Sequence, residues 1–184
     1  MAGTFAILKT AWSPSCLSRN RKHLIYGACV VSKLLYSLET ERLNKAEHSR
    51  INSFHVSCLR TIWGIPHPMI SRVSNERVLD TASARPLADQ LIAKQLLLFG
   101  KVALMPDTSI VRKAVFRPSS TQLAKPAGVR KRGRPRVSWG CKARMHALRA
   151  AGGDENRLTT ALDRSNGCLK EWRAIVRQYS DIAL

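Results

Sequence analysis

Acidic residues are scarce in this sequence. Its 184 residues contain 12 Asp and Glu against 31 Lys and Arg, which gives a formal net charge of +19. So few carboxylates argue against a carboxylate-rich hydrolase, because acid–base and two-metal sites need carboxylates held close together. The excess of positive charge instead favours attraction to polyanions, meaning nucleic acid or an anionic lipid surface.

Closely spaced cysteines are also missing. The chain has no C-x-x-C pair and no Cys/His set with zinc-finger spacing, and its five cysteines are Cys16, Cys29, Cys58, Cys141 and Cys168. An odd number at wide spacing argues against a disulfide-stapled secreted domain. Free thiols in a reducing compartment are the better interpretation, so we expect a nuclear or cytoplasmic protein with no bound metal and no cofactor.

Long apolar runs are absent as well. The longest uncharged runs are about ten residues, half of the ~20 that a membrane-spanning helix needs. The short apolar run near the N-terminus is not preceded by a basic segment, so the sequence predicts no signal peptide. We therefore expect no membrane partner.

The apolar residues that are present recur with the period of a helix. Asn44 with Glu47 three residues later predicts a capping box at a helix start, and Gly64 predicts the end of the same helix. Between these points one apolar face is formed by Ile51, Phe54, Cys58, Leu59, Ile62 and Trp63. This spacing is typical of an amphipathic helix packed against a core.

Further helices are predicted along the chain, and two-residue alternation over the length of a strand is nowhere convincing. Their expected ranges are from about Arg19 to Leu38 (where Val30, Val31 and Tyr36 suit a strand equally), 75–81, 86–105, 137–150, 157–162 and from Asn166 onward. The sequence predicts an all-α protein, with an irregular helical bundle over 1–115, a basic extended linker over 116–136 and a small C-terminal helical unit over 137–184.

Positive charge is concentrated in the second half of the chain. From Thr108 to Gly153 there are 12 Lys or Arg and no acidic residue. The densest part interleaves cations with Gly and Pro, which disfavours regular structure and predicts an extended, solvated segment. The predicted nucleic-acid-binding residues are Lys125, Arg130, Lys131, Arg132, Gly133, Arg134, Pro135 and Arg136.

The tetrapeptide Arg132-Gly133-Arg134-Pro135 has the form of an AT-hook core. Gly and Pro give a narrow extended backbone, and the two arginines can then lie along the floor of an A·T minor groove. The flanking cations would contact phosphates, which positions the chain without reading sequence. A basic linker that only solubilises or localises the protein fits the same residues.

No constellation of residues for catalysis is found. Asp154 and Glu155 are the only adjacent acidic pair, and they stand at a predicted helix N-terminus, where acids are favoured electrostatically. His48 and His55 lie seven residues apart on one helix face and fit ordinary surface or core roles. Trp139 can stack on a base, but as the first large apolar side chain of a helix it is better interpreted as a core anchor. We expect neither enzymatic activity nor a small-molecule substrate.

Four segments of the chain form an ordered pattern. Residues 33–39 are KLLYSLE, 54–65 are FHVSCLRTIWGI, 96–107 are LLLFGKVALMPD and 133–139 are GRPRVSW. In this order and at similar spacing they resemble the LLYG-x-E, F-x-x-x-C-L-R-x-I-x-G-I, L-x-W-x-G-H-V-x-R-M-x-D and G-R-P-[KR]-x-x-W segments of non-LTR (LINE-type) retrotransposon reverse transcriptases.

The resemblance implies the thumb-like and post-thumb region of such an RNA-directed DNA polymerase, a helical part that grips the template–primer duplex. It does not cover the fingers and palm, where the family's catalytic aspartates reside, and the chain contains no [FY]-x-D-D. Ser37 replaces the usual Gly, Lys101 the usual His and Leu104 the usual Arg. A reading frame that begins inside this region with eroded motif positions resembles a 5′-truncated copy of an element.

These observations favour a nucleic-acid-binding C-terminal fragment of a retrotransposon reverse transcriptase that is not itself a polymerase, with DNA or RNA as its partner. Two alternatives remain. One is an AT-hook-like chromatin or RNA-binding accessory protein, and the other is the product of a decayed element without a function.

Overall fold

The computed structural model describes residues 2–12, 17–36, 38–124, 138–163 and 169–182. Regular structure in this part of the chain is helical, with one isolated antiparallel bridge between Phe116 and Leu123. The predicted all-α class is confirmed. The α-helices are α1 (Ala2–Trp12), α2 (Arg19–Tyr26), α3 (Ser32–Leu35), α4 (Lys45–Trp63), α5 (Pro68–Ser71), α6 (Asn75–Thr81), α7 (Leu87–Ala103), α8 (Ile110–Val115), α9 (Trp139–Ala150), α10 (Glu155–Leu162) and α11 (Leu169–Ile182).

The chain divides into two compact units. The first consists of Met1–Leu38 and Leu43–Leu91, and the second of Glu39–Arg42 and Ile92–Leu184. The division falls inside α7, not at residues 115 and 137 where composition placed it. The physical reason is that most of α7 and the three C-terminal helices bury their apolar faces in one common core.

The segment for which helix and strand were both open is helical. A π-helical turn, Gly27–Val31, joins α2 to α3 without a break in the helical path. Tyr26 and Val30, four residues apart, are both fully buried in the core of the first unit. The β-branched pair Val30-Val31 therefore occupies a helix, because packing outweighs its modest preference for a strand.

The predicted ends of α4 are confirmed. The side-chain oxygen of Asn44 accepts the backbone N–H of Glu47 at 2.9 Å, and the carboxylate of Glu47 accepts the N–H of Asn44 at 2.6 Å. At the other end Gly64 has φ 71°, a left-handed conformation that glycine adopts without steric cost. Local sequence signals thus fix the length of the helix that supplies much of the first core.

The second unit is built around Trp172. This side chain is fully buried, and its indole N–H donates to the backbone carbonyl of Leu96 at 2.8 Å. The ring lies against Gly100 of α7, where a Cβ would overlap it. Buried tryptophan usually finds an acceptor for its N–H. Here the carbonyl of Leu96 is the acceptor, and Gly100, one turn later in α7, leaves the space for the ring.

Residues 116–124, which composition assigned to the linker, belong to the folded unit. Phe116 is 1% exposed, and its ring centroid lies 5.1 Å from that of Phe99. The backbone N–H of Arg117 donates to the carbonyl of Gln122, and that of Ala124 donates to the carbonyl of Val115. The helix α8 just before this hairpin-like turn was not predicted from the sequence.

The substitution Gly100→Ala should lower the free energy of unfolding by about 3 kcal/mol, because the new methyl group overlaps the indole of Trp172 and overpacked cores typically lose about 1–3 kcal/mol. Urea denaturation followed by tryptophan fluorescence measures this. Gly140→Ala in α9 is the matched control, since the nearest side-chain atoms lie 3.4 Å from its Cβ, an ordinary contact. A Gly100→Ala variant as stable as the control would mean that Trp172 is not seated against α7.

Candidate nucleic-acid interface

The residues predicted from the sequence to bind nucleic acid lie outside the described residues. They are Lys125, Arg130, Lys131, Arg132, Gly133, Arg134, Pro135 and Arg136. The structure does place the two ends of this basic segment, at Ala124 and Ser138. The candidate interface is therefore built from its flanks and from the folded surface of the second unit.

The N-terminal flank of the basic segment is fixed by backbone hydrogen bonds. The N–H of Ala124 donates to the carbonyl of Val115 at 2.8 Å, directly after the bridge between Phe116 and Leu123. The buried ring of Phe116 holds this turn in the core. The position of Ala124, the last described residue before the basic segment, is therefore set by the fold.

The C-terminal flank is fixed by a helix cap and an aromatic anchor. The hydroxyl of Ser138 accepts the N–H of Cys141 at the start of α9. The indole N–H of Trp139 donates to the backbone carbonyl of Glu39 at 2.8 Å, and its ring centroid is 6.3 Å from that of Phe99. The interpretation of Trp139 as a core anchor is confirmed.

Two arginines are buried, so they are not available to contact a ligand. Arg60 is 6% exposed, and its guanidinium donates to the carbonyls of Pro66 and Val73 and to the side chains of Ser71 and Asn75. It holds the loop after α4, and no carboxylate of the described residues pairs with it. The other buried arginine is Arg112, in the second unit. Both residues carry formal charge, but burial keeps that charge away from a ligand.

Arg112 of α8 is 3% exposed and is held from several sides. Its Nε donates to the carboxylate of Asp107 at 2.9 Å, and its two Nη groups donate to the carbonyls of Ala103 and Ser120. The guanidinium also lies 5.3 Å from the ring centroid of Phe116. Arg112 thus ties the end of α7 to the turn that precedes the basic segment.

The second unit also carries exposed cations that the sequence analysis did not single out. Lys170, Arg173 and Arg177 recur at i, i+3 and i+7 along α11 and are all exposed, opposite the buried Trp172 and Val176. Charge periodicity along the helix was the signal that could have revealed them. Because these three side chains are exposed to solvent, they are also accessible to a polyanion.

The adjacent acidic pair Asp154 and Glu155 has a structural role. The side chain of Asp154 caps α10 by accepting the N–H of Asn156 at 2.8 Å, and Glu155 forms an ion pair with Arg144. Within the described residues, no three His, Cys, Asp or Glu side chains lie close enough together to hold a metal ion. This part of the chain offers no carboxylate cluster for two-metal chemistry.

A group of buried polar side chains lies in the first unit. His55 is 2% exposed, and its Nδ1 is hydrogen-bonded to the hydroxyl of Tyr26 at 2.9 Å. Burial, together with the charge of His23, lowers the pKa of His55 to about 4, against an opposing hydrogen bond to the backbone of Arg85. Burial raises the pKa of the Cys58 thiol to about 11. At neutral pH the imidazole and the thiol are uncharged, so they form a polar core and not an acid–base pair.

Comparisons with known proteins identify no relative. No protein-family model, no curated protein and no solved structure matches the chain. Of the helices that the structure describes, none combines the length and the apolar content needed to cross a membrane.

The buried imidazole predicts a pH dependence of stability. Between about pH 6.5 and 4 His55 is protonated in the unfolded chain but not in the folded chain. The contribution of the uncharged imidazole to the free energy of unfolding is therefore fully present above about pH 6.5 and is lost as the pH is lowered through this window. The loss between pH 7 and 5 should be about 2 kcal/mol greater in the wild type than in His55→Gln. Chemical denaturation at both pH values measures it, and parallel pH profiles for the two proteins would contradict the assignment.

Proposed function

We propose that the chain is a nucleic-acid-binding region equivalent to the thumb and post-thumb part of a non-LTR retrotransposon reverse transcriptase, without polymerase chemistry of its own. The observation that carries the proposal is a dense cationic segment tied at both ends to one folded unit, through Ala124 and Trp139. In general, a chain segment whose two ends are fixed loses less conformational entropy when it binds a polyanion than one with free ends.

The arrangement of the family-like segments supports the proposal. Trp139 closes the GRPRVSW segment and Glu39 closes the KLLYSLE segment, and these residues are hydrogen-bonded although 100 positions separate them in sequence. Residues that resemble one family at distant points of a chain are expected to meet if they maintain a common fold.

Other residues in the family-like segments also maintain the fold. In the segment 54–65, Arg60 holds the loop after α4, and Gly64 adopts the left-handed conformation that ends the helix. In the segment 96–107, Gly100 makes room for Trp172 and Asp107 pairs with Arg112. A fold retained in this way fits a region whose role is to grip a duplex.

The partner under this proposal is DNA, RNA or a hybrid of the two, and the setting is the nucleus or cytoplasm. Phosphate contacts by Lys and Arg dominate such binding and make it dependent on salt. The AT-hook-like alternative rests on the tetrapeptide Arg132-Gly133-Arg134-Pro135, and it differs from the first proposal because it requires a preference for A·T-rich duplex.

Binding to duplex DNA should weaken steeply with salt. If about five cations of the basic segment each neutralise one phosphate, log K falls against log[salt] with a slope of about −4.5, a loss of roughly 500-fold between 50 and 200 mM. Fluorescence anisotropy with a labelled duplex measures the slope, and a slope near zero would remove the nucleic-acid proposal.

The double variant R132A/R134A should flatten this slope by about 2. Arg149→Ala with Arg157→Ala, two exposed cations of α9 and α10, is the control of equal charge. A wild-type preference for A·T-rich over G·C-rich duplex that vanishes in R132A/R134A would favour the AT-hook-like function over the reverse-transcriptase one.

The purified chain should extend no primer on an RNA or DNA template with Mg²⁺ or Mn²⁺, because phosphoryl transfer of this kind needs carboxylates that bridge two metal ions. Incorporation of labelled nucleotide is compared with that of a heat-denatured sample. Template-dependent incorporation above this background would show that the chain carries polymerase chemistry.

A further inference from the structure

The second unit contains a cavity of about 250 Å³ whose lining is mostly cationic and apolar. Lys94 and Lys101 of α7 line it together with Arg173 of α11, and Leu97 and Leu169 contribute apolar surface. Glu39 contributes the single acidic residue of the lining. Three cations thus face one acid around a space that is open to solvent.

The core of the unit holds these cations in place. Lys94 and Lys101 are seven residues apart, so they lie on one face of α7. Trp172 fastens α11 to this helix through the carbonyl of Leu96, and Arg173 is the next residue in sequence. The convergence of the three side chains therefore follows from the same packing that stabilises the unit.

The charges in the cavity are available to a ligand. Among the described residues, no carboxylate lies within ion-pairing distance of Lys94, Lys101 or Arg173. Lys101 and Arg173 are exposed, and Lys94 is half-buried. A charged group with no internal partner that borders a partly enclosed space binds an anion more favourably than one surrounded by bulk water.

We propose that this cavity binds a phosphodiester group of a nucleic acid strand, with the leucines against the adjoining sugar or base; the inference rests on the proposed function and adds a second, folded contact to it. A volume of 250 Å³ is below the roughly 300–1,000 Å³ of typical small-molecule pockets, which suits one backbone unit. Arginine offers a planar fork to phosphate oxygens, whereas each lysine acts as a point charge.

Glu39 links this cavity to the basic segment. Its backbone carbonyl holds the indole of Trp139, and Trp139 follows Arg136 by three residues in the sequence. Trp139, at the C-terminal flank of the basic segment, is therefore held by a residue that lines the cavity. Two contacts on one strand reinforce each other because the second binding event becomes intramolecular, and this favours nucleic acid over a lipid headgroup as the source of the phosphate.

The test compares two triple variants of equal charge in the full chain. Lys94→Gln, Lys101→Gln and Arg173→Gln remove the cavity cations, and Lys113→Gln, Arg149→Gln and Arg157→Gln remove exposed cations elsewhere in the same unit. Because the cavity holds one phosphodiester group in this proposal, the salt slope for a labelled duplex should flatten by about 0.9 in the cavity variant and stay close to the wild-type value in the control variant. Circular dichroism checks that both variants keep their helix content.

The variant Glu39→Gln gives an independent readout that misfolding cannot imitate. It keeps the backbone carbonyl and removes the one negative charge of the lining, so affinity for the duplex should rise about twofold at 50 mM salt. An unchanged or weaker affinity would contradict the proposed site.

The outcomes separate this inference from the proposed function. A wild-type protein that binds duplex with a steep slope, while the cavity and control variants behave alike, overturns the cavity and leaves the function standing. A wild type with no salt-dependent binding overturns both. Binding to vesicles with phosphatidylserine that depends on the cavity cations, without such a dependence for duplex, would assign the site to a lipid headgroup and overturn the inference.

Discussion

The second unit depends on one face of α7, from Leu96 to Gly100. The carbonyl of Leu96 accepts the indole N–H of Trp172, and the missing side chain of Gly100 leaves room for that ring. On the same helix, the ring of Phe99 lies near those of Phe116 and Trp139, with centroid distances of 5.1 and 6.3 Å. Aromatic pairs at such distances contribute about 0.5–1.5 kcal/mol each beyond their buried area. Two residues that flank the most basic part of the sequence, Phe116 before it and Trp139 after it, thus contact the same buried ring.

Short-range signals predicted both ends of α4 because the interactions that set them are local. The capping box of Asn44 and Glu47 and the left-handed Gly64 act within one turn, so reading the residues in order was sufficient. The division into units was not predictable in the same way. It depends on contacts between residues 76 and 100 positions apart, made by Trp172 and Trp139. Periodicity shows which face of a helix is buried, but it does not show which other element that face packs against. Phe116 was assigned to the linker because it stands next to a basic stretch of sequence, although its side chain is buried.

The sequence was sufficient to predict that the candidate interface is positively charged, but not which cations face a ligand. Composition located the dense basic segment, but a formal charge of +19 counts every cation equally. The structure separates them by environment. Arg60 and Arg112 are buried and donate to backbone carbonyl groups, and Arg112 also donates to one carboxylate, whereas Lys101 and Arg173 border an open cavity. Nothing in the local sequence distinguishes these cases, because each is one basic residue within a helix, and its surroundings come from other parts of the chain.

This separation bears on how binding and folding are coupled. A ligand stabilises a fold only to the extent that it prefers the folded chain, and affinity for the unfolded chain reduces the effect. The basic segment carries the same charges whether or not the rest of the protein is folded, so its attraction to a polyanion adds affinity with little preference for the native state. The cations on α7 and α11 come together only when Trp172 is seated against Gly100. Under the proposed function, any stabilisation of the fold by nucleic acid should therefore arise from the folded cavity, while the charges of the segment contribute to the first encounter.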